Sequence, residues 1–345
     1  MSKRDIIVIG ASAGGYEALK ILVAGLPVNL PASIFVVWHM SPDIRESVLP
    51  QVLQKVGRLP ASQAVDSEPI RAGRIYVAPP DYHLLVEQNR VRITRGPKEN
   101  RFRPVVDPLF RSAAYGFGSR VIGVILSGAL DDGTSGLWTI KYRGGAAIVQ
   151  DPLDAEFPSM PKSAMREVKV DYCAPVSEIP QILTELTSEP AGETPEIDMQ
   201  ENEKIKTEIG IAAEDSAFER GIMNLGNLTP FTCPECHGVL LELKDGKLSR
   251  FRCHTGHAFS ANSLLTSVTE SVEESMWSAM RAVEESMMLL KHMGKHLSEN
   301  DNQELSQLYF AKAEEAEKSA NMMRLAIFRH EQLNAEKIQQ QADNE

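Results

Sequence analysis

The chain has 345 residues, which is too many for a single compact core and predicts two or three structural units. Its formal net charge of −11 argues against a protein whose main partner is nucleic acid, because phosphate contacts require clustered lysine and arginine. No apolar run reaches membrane-spanning length, and the N-terminus lacks the basic-then-apolar pattern of a signal peptide, so we expect a cytoplasmic protein without membrane insertion. Three of the four cysteines stand in a metal-type arrangement, which fits a reducing compartment.

Residues 1–187 alternate short apolar runs with helical patterns, which is typical of an α/β fold with a doubly wound, mostly parallel sheet. The first run, Ile6–Ile9, is apolar at every position and predicts a strand buried on both faces. It ends in the glycine-rich turn Gly10–Gly15, which contains Ser12 and precedes a helical pattern. Such a turn can cradle a phosphate or place a nucleophile at a helix N-terminus, and the turn alone favours neither.

The pattern predicts further strands and helices in chain order. A second buried strand, Ile34–Trp38, ends at His39. The other predicted elements of this part are a helix over Ile44–Val56, a strand over Arg74–Ala78, a hairpin of His83–Glu87 with Arg90–Thr94, a helix near Asp107–Tyr115, strands over Val121–Leu126 and Ala146–Gln150, and a closing helix over Ile179–Leu186.

The composition changes after residue 187. Residues 188–228 are acidic with few aromatic residues and are predicted as a linker, of which Glu203–Ala213 could form a strand or a helix docked on a neighbour. Residues 229–260 contain the Cys/His cluster, and residues 261–345 are nearly free of Gly and Pro, so they predict a hairpin of two long helices. The expected inner positions of these helices are Leu264, Val268, Val272, Met276, Ala279, Val283, Met287 and Leu290, then Leu308, Ala311, Met322, Leu325, Ile327 or Phe328, and Leu333.

Three polar side chains follow predicted strands, at the edge where an open parallel sheet binds ligands. Ser12 and His39 end the first two strands, and Asp132 lies just beyond the strand over Val121–Leu126. An imidazole can take the serine proton while a carboxylate orients the ring and stabilises its charged form, so these residue types suit nucleophilic catalysis. Each also has a structural interpretation, since the histidine can be hydrogen-bonded scaffold and Asp131-Asp132-Gly133 can be a turn or a helix cap.

Several separated segments resemble the catalytic domain of the protein-glutamate methylesterase of bacterial chemotaxis, the CheB family. They span about residues 5–186 and are Gly10–Gly15, His39-Met40, Tyr76-Val77-Ala78-Pro79 with Asp81 and His83, Arg103-Pro104-Val105-Val106-Asp107, Ser127–Gly133 and Met160-Pro161. The resemblance implies that Ser12 is the nucleophile, His39 the general base and Asp132 its orienting partner, with Asp131 as the competitor for that last role. It also implies an oxyanion donor at the backbone N–H of Ala129, where the family usually has Met.

By this resemblance the chain is expected to hydrolyse glutamate γ-methyl esters on chemoreceptor-like proteins, and to deamidate glutamine as a related activity. Familiar family members carry a receiver domain ahead of the catalytic domain, and we expect this chain to lack it because the first strand begins near Asp5. Control would then come from the C-terminal half. The alternatives are a non-catalytic adaptor or scaffold in a signalling complex, and a nucleotide-binding domain, which would need an acidic residue where His39 stands.

The Cys/His cluster has the spacing of a zinc site. Cys233 and Cys236 form one pair, and Cys253 and His257 form a second pair after sixteen intervening residues. Two ligands from each of two turns suit tetrahedral Zn²⁺, and four protein ligands predict a structural ion in a zinc-ribbon-like hairpin. His254 is an alternative fourth ligand and His237 a poorer one, while two unliganded cysteines on a hairpin are the alternative to metal binding.

Two further patterns concern partners. A basic stretch, formed by Arg90, Arg92, Arg95, Lys98, Arg101, Arg103 and Arg111, is either a solvated face or a docking surface for acidic helices. A methionine-bearing stripe, formed by Met276, Met280, Met287, Met288, Met322 and Met323, either fills the core of the hairpin or binds a partner helix. The expected partner is a methylated receptor or another helical protein substrate, and self-association through the C-terminal helices is the second option.

Overall fold

A central parallel sheet organises the first half of the chain. The computed structural model describes residues 2–40, 46–214 and 216–331, together with 333, 337–338 and 341. Up to residue 188 the elements are β1 (Ile6–Ala11), α1 (Gly15–Gly25), β2 (Ser33–Trp38), α2 (Leu49–Val56), β3 (Ala61–Gln63), β4 (Ile75–Val77), β5 (His83–Glu87), β6 (Arg90–Thr94), α3 (Val106–Phe117), β7 (Val121–Ile125), α4 (Thr134–Tyr142), β8 (Ala146–Gln150), α5 (Ser159–Glu167), β9 (Tyr172–Ala174) and α6 (Ile179–Ser188).

The chain builds the sheet outward from β1 in two directions. It first adds β2, β3 and β4 on one side of β1 and then adds β7, β8 and β9 on the other side. In the described residues the sheet has seven strands in the order β3-β4-β2-β1-β7-β8-β9, and each neighbouring pair is parallel. Val8 of β1 lies between Phe35 of β2 and Gly123 of β7. A crevice outside the carboxyl ends of β1 and β7 is therefore the expected ligand-binding position.

Both faces of the sheet are covered by helices, as predicted for a doubly wound fold. Ile7 and Ile9 pack in the core on the face of α1, whereas Ile6 and Val8 pack in the core on the face of α3. All four side chains are buried because successive residues of a strand point to opposite faces. The all-apolar run at the start of the chain is therefore a strand buried on both sides.

The predicted elements differ from the structure mainly at their ends. The hairpin β5–β6 has the predicted bounds, because its alternating pattern and the turn at Gln88-Asn89 define both strands. The helix predicted from Ile44 begins at Leu49, and residues 41–45 lie outside the described residues. Two three-residue strands, β3 and β9, were not predicted because so short a segment carries no measurable period.

The acidic segment 188–228 is not an extended spacer throughout. It contains α7 (Met199–Ala212), whose N-terminus is capped by the Asp198 carboxylate, which accepts hydrogen bonds from the amides of Gln200 and Glu201. Lys204 and Glu208 of α7 are buried in contact with charged side chains from neighbouring elements. Composition predicted a linker because it counts charges and cannot show that they are paired inside the protein.

An antiparallel sheet follows α7. Its strands are β10 (Asn227–Thr232), β11 (Val239–Asp245), β12 (Leu248–Cys253) and β13 (Ala258–Ser260), paired in that order. The hairpin β11–β12 corresponds to the predicted ribbon hairpin, and β10 and β13 extend it on either side. We call residues 229–260 the ribbon. Residues 1–264 form one compact unit that includes the ribbon, and residues 265–345 form a second unit.

The second unit contains two long helices, α8 (Ala261–Glu299, which begins in the first unit) and α9 (Gln303–Arg329). Small residues meet where the two helices pack together, which we call the seam. There the Ser306 hydroxyl donates to the Gly294 carbonyl at 2.7 Å. The buried positions of α9 are Ser306, Ala313, Ala320 and Ile327, spaced by seven residues. The inner stripe predicted for α9 is wrong at Leu308, Ala311, Met322 and Leu325, which are all exposed, whereas the prediction of Ile327 or Phe328 is met by the buried Ile327.

The methionines of the predicted stripe differ in their exposure to solvent. Met280 is buried, whereas Met288 and Met322 are 57% and 65% exposed. The seam is filled by residues smaller than methionine, so large apolar side chains remain on the flanks of the hairpin. None of the helices in the described part of the chain has the length and apolarity that crossing a lipid bilayer requires.

Candidate active site

Ser12 lies in the turn between β1 and α1. Its amide donates to the Ser127 carbonyl at 3.0 Å, and its carbonyl accepts from the amide of Gly15 at 2.9 Å. A Cβ atom on Gly128 would lie 2.9 Å from the Ser12 Cβ and 2.0 Å from the Met160 sulfur. Gly128 is therefore required for the loop after β7 to approach the serine this closely.

His39 follows β2 and faces the serine. Its amide donates to the Ala11 carbonyl at 3.0 Å, which ties the end of β2 to the end of β1. The Nδ1 atom of the ring lies 3.1 Å from the Ser12 Oγ. The ring stacks on Phe102, with centroids 4.7 Å apart and planes 12° apart. The imidazole is thus held both by its hydrogen bonds and by an aromatic neighbour.

Asp132 lies in the loop between β7 and α4 and contacts the other side of the imidazole. Its Oδ2 lies 2.8 Å from the His39 Nε2 and accepts from the Val106 amide at 2.7 Å. The Asn100 amide group donates to its Oδ1 at 3.1 Å. Burial acts to raise the pKa of this carboxyl, but the hydrogen bond and charge of His39, with the other two donors, hold that pKa below its ordinary value.

The hydrogen bonds define the role of each imidazole nitrogen of His39. An ionised Asp132 only accepts hydrogen bonds, so the neutral imidazole carries its proton on Nε2 and donates it to the carboxylate. The Nδ1 lone pair is then directed at the Ser12 hydroxyl, where it can accept the proton. Three loops thus bring the three predicted side chains into one hydrogen-bonded chain.

Asp131, the predicted competitor of Asp132, makes a different contact. Its Oδ1 accepts a hydrogen bond from the Ser260 hydroxyl at 2.7 Å. Burial, together with the charge of Asp132, raises the pKa of Asp131 to about 6, and the Ser260 hydrogen bond opposes this rise. The carboxylate hydrogen-bonded to the imidazole is therefore that of Asp132.

A third carboxyl group, Asp107, lies behind Asp132. It accepts from the Gly136 amide at 2.7 Å and from the Asn100 side-chain amide at 3.2 Å. Burial, together with the negative charge of Asp132, raises the pKa of Asp107 well above its ordinary value. The two pKa values are therefore displaced in opposite directions, which favours the charged form of Asp132 over that of Asp107.

Sequence comparison now adds to this geometry. A family model described as CheB methylesterase matches residues 7–183. The chain belongs to the CheB methylesterase family. The matched residues contain the sheet and all three side chains of the hydrogen-bonded chain, and they end before α7 and the ribbon.

Individual relatives of the CheB family agree with the family model. A relative from Leptospira interrogans is 39% identical over 183 residues, which are 53% of this chain and 94% of the relative. The protein-glutamate methylesterase/protein-glutamine glutaminase of Thermotoga maritima is 37% identical over 185 residues, or 52% of this chain and 54% of that protein. The crystal structure of the Thermotoga maritima CheB methylesterase catalytic domain, 37% identical, superposes with a TM-score of 0.51 and is covered completely by 54% of this chain.

The backbone amide of Ala129, the predicted oxyanion donor, lies in the loop that approaches Ser12. The preceding residue is fixed on both sides, since the Gly128 amide donates to the Phe157 carbonyl and its carbonyl accepts from the Met160 amide, each at 2.9 Å. Ala129 itself is exposed. Its role as a donor to an oxyanion stays a prediction of the CheB resemblance.

The ribbon brings the four predicted metal ligands together. The sulfur atoms of Cys233, Cys236 and Cys253 and a ring nitrogen of His257 all lie within 4.8 Å of one another. The Cys236 and Cys253 sulfurs are 3.7 Å apart, and His257 Nδ1 is 3.7 Å from both Cys233 and Cys253. Tetrahedral Zn²⁺ with bonds of about 2.3 Å to sulfur and about 2.0 Å to nitrogen requires separations of about 3.5–3.8 Å between its ligand atoms. The cluster therefore has the size and donor set of a zinc site.

The basic stretch does not form one continuous face. Arg111 is 1% exposed and lies beside Glu99 and Glu208. Arg95 and Arg103 share the Asp81 carboxylate, at 2.5 and 2.7 Å. Arg111 is enclosed, and the other two guanidinium groups are held by one carboxylate, so the stretch does not form the continuous basic face that the predicted docking surface for acidic helices requires.

Proposed function

We propose that this CheB-family chain hydrolyses glutamate γ-methyl esters on a protein substrate and releases methanol. The observation that carries the proposal is the hydrogen-bonded chain from the Ser12 hydroxyl through the His39 imidazole to the Asp132 carboxylate. The names of relatives, such as that of Thermotoga maritima, support the same substrate class and add glutamine deamidation as a second activity.

The first half of the reaction uses all three side chains. His39 Nδ1 takes the Ser12 proton as Oγ attacks the ester carbonyl, and Asp132 stabilises the imidazolium that forms. The proton then passes from the imidazolium to the leaving methoxide, so methanol departs and an acyl-serine remains. The Ala129 amide is the proposed donor to the oxyanion of the tetrahedral intermediate.

The second half restores the enzyme. His39 accepts a proton from water, which attacks the acyl-serine, and the imidazolium returns that proton to Oγ as the bond breaks. The products are a free glutamate side chain and the unchanged Ser12. Attack on a glutamine side chain follows the same steps with ammonia as the leaving group.

The test is release of methanol from a protein that carries glutamate γ-methyl esters, compared between wild type and Ser12→Ala. We expect the variant to lose about 10⁴-fold in kcat. Ser188→Ala is the matched control, because this hydroxyl is exposed and bonds only within α6, to the Thr184 carbonyl at 2.9 Å. Equal turnover by Ser12→Ala and wild type would remove the serine mechanism, and no turnover by wild type would favour the scaffold alternative.

We also propose that the ribbon holds one structural Zn²⁺ through Cys233, Cys236, Cys253 and His257. The ligand separations support this set, and Cys233 and Cys253 are buried. Four protein ligands would leave no open position, so the ion would stabilise the fold and take no part in the chemistry.

Elemental analysis of the purified chain should give one equivalent of zinc. Cys233→Ser should lose the metal, whereas Cys173→Ser should retain it, because Cys173 is an exposed cysteine outside the cluster. Zinc well below one equivalent in wild type, or zinc retained by Cys233→Ser, would contradict the site.

A third proposal concerns the helical hairpin of residues 265–345. The exposed apolar side chains of α9, among them Met322 and Leu325, form a surface that suits an amphipathic helix of the protein substrate. Leu325→Ser should raise KM for a methylated helical protein and leave hydrolysis of a small ester unchanged, while Lys318→Ser on the same helix should change neither. If Leu325→Ser instead alters only the sedimentation of the free chain, the surface binds a second copy.

A further inference from the structure

One turn, residues 99–102, lies between the ribbon and the hydrogen-bonded chain of the active site. On the ribbon side, Glu99 pairs with Ala258 of β13, and the Asn100 amide donates to the Ala258 carbonyl at 2.7 Å. On the active-site side, the Phe102 ring stacks on His39. The Phe102 amide donates to the Glu99 carbonyl at 2.9 Å, which closes the turn.

The Asn100 side chain carries this connection to Asp132. Its oxygen faces the ribbon and accepts from the Ser260 amide at 2.8 Å and from the Ser263 hydroxyl at 3.0 Å. Its nitrogen faces the active site and donates to Asp132 at 3.1 Å and to Asp107 at 3.2 Å. All four hydrogen-bonding positions of this buried amide are used.

The backbone amide of Ser260, which can only donate, fixes which way the Asn100 side-chain amide points. A side-chain amide can exchange its oxygen and nitrogen by a half turn about the Cβ–Cγ axis. With the Ser260 amide in place, the half turn would aim the Asn100 nitrogen at that N–H group and the Asn100 oxygen at the ionised Asp132. Both contacts would then be repulsive, so the ribbon selects the orientation that donates to Asp132.

Buried ion pairs hold the ribbon against the catalytic domain. Arg252 of β12 pairs with Glu99 at 2.7 Å and with Glu208 of α7 at 2.8 Å, and all three side chains are at most 2% exposed. Glu99 belongs to the same turn as Asn100. A displacement of β12 would therefore pull on the turn directly, and leave buried charges without partners.

The last proposed metal ligand directly precedes the strand that contacts Asn100. Cys253 ends β12 and His257 directly precedes β13, and the Cys253 amide donates to the His257 carbonyl at 3.0 Å. A metal ion bound by these two residues fixes the end of β12 and the residue at which the chain enters β13. β13 follows His257 without an intervening residue and pairs with β12, so its position is coupled to the metal site.

We infer that the ribbon is a positioning element of the esterase, which acts through Asn100 on Asp132 and depends on its bound metal. The inference rests on the proposed hydrolase function. Asn100 is a positioning residue, since it contacts neither the serine nor the ester. Loss of a group that orients a functional carboxylate or imidazole costs on the order of 10-fold to 100-fold in activity.

The first experiment compares Asn100→Ala with wild type in the full chain. We expect kcat on a small carboxylic ester to fall on the order of 10-fold to 100-fold with KM unchanged. The proton resonance of the His39 Nε2–H should move, because its acceptor Asp132 has lost a donor. Asn224→Ala, at an exposed asparagine, is the matched control and should change neither quantity. Ser263→Ala, which removes one donor to the Asn100 oxygen, gives the same direction of effect should Asn100→Ala not fold.

The second experiment removes zinc with a chelator and restores it with Zn²⁺. Metal-free wild type should show the same loss of kcat and the same shift of the His39 resonance, and added Zn²⁺ should reverse both. In Asn100→Ala, chelation should cause no further loss of kcat, because the hydrogen bonds that connect the ribbon to Asp132 through Asn100 are already absent.

Each other outcome overturns a defined part of the inference. Unchanged kcat and resonance in metal-free wild type refute control by the metal, as does a chain that binds no zinc. Additive losses from chelation and Asn100→Ala refute the route through Asn100. If wild type hydrolyses no ester, the proposed function fails, whereas the His39 resonance still decides whether the ribbon acts on the site.

Discussion

The free energy of unfolding should depend on pH through the carboxyl group of Asp131, and the burial of that group sets the size of the effect. The pKa of this carboxyl is raised from 3.8 to about 6 by burial, with a further contribution from Asp132. Its folded-state pKa is thus higher than its unfolded-state pKa, so the stability that the protonated group contributes is complete below pH 3.8 and is lost as the pH rises through about 6. The whole loss is about 3 kcal/mol, of which about 1.4 kcal/mol develops between pH 5 and pH 8.

The perturbation is Asp131→Asn, which keeps an oxygen to accept from Ser260 but cannot ionise. The difference in unfolding free energy between the variant and wild type should therefore increase by about 1.4 kcal/mol from pH 5 to pH 8, in favour of the variant. This pH-dependent difference does not depend on what the substitution costs at any single pH.

The assay is urea unfolding followed by tryptophan fluorescence in a Trp277→Phe background. The remaining tryptophans, Trp38 and Trp138, both lie in residues 1–264, so the signal reports that unit alone. Ser260→Ala removes the hydrogen bond that opposes the rise in the pKa of Asp131, so it should steepen the pH dependence. A free-energy difference between Asp131→Asn and wild type that stays constant from pH 5 to pH 8 would refute the reasoning.

Three further predictions concern the site and the buried charges. His39→Ala should reduce kcat on a methyl ester about 10⁴-fold, as Ser12→Ala does, and retention of more than a tenth of the activity would exclude His39 as the base. Gly128→Ala should lower kcat, because the new Cβ would overlap the Met160 sulfur and displace the loop beside the serine; unchanged activity would show that the loop can yield. Glu208→Ala should cost about 3–5 kcal/mol in chemical denaturation, because it leaves buried guanidinium groups without their carboxylate, and a loss below about 1 kcal/mol would contradict this.

The parts of the fold that the sequence predicted well have strong local patterns. The strand at Ile6–Ile9 and the hairpin His83–Glu87 with Arg90–Thr94 follow from apolar runs and alternation. Ser12 and His39 could be selected because each directly follows such a strand. Asp132 was harder to separate from Asp131, since only the three-dimensional contact with the imidazole distinguishes the two.

The parts that sequence reasoning missed depend on tertiary contacts. Asn100 belongs to no recognisable motif, and its importance comes from Asp132 and Ser260, which follow it in the chain by 32 and 160 residues. Asn100 has a positive φ of 47°, which is uncommon for a residue other than glycine, but the local sequence does not predict this conformation. Arg111 was grouped with surface charges because composition cannot show that Glu99 and Glu208 surround it. The stripe of α9 was misjudged because large side chains were expected in a seam that small ones fill.

The buried ion pairs have a consequence for modularity. The residue boundary at 187/188, where composition changes, divides the cluster, because Glu99 and Arg111 lie before it and Glu208 and Arg252 lie after it. A catalytic domain excised there would expose Glu99 and Arg111, two charged groups that are buried in the full chain. The Leptospira interrogans relative, of which the matched 183 residues make up 94%, has no room for a ribbon of this size. If the ribbon holds zinc as proposed, sensitivity to metal chelation should divide the family by architecture, and exchange of this domain with that of a shorter relative should leave the charges of the cluster unpaired.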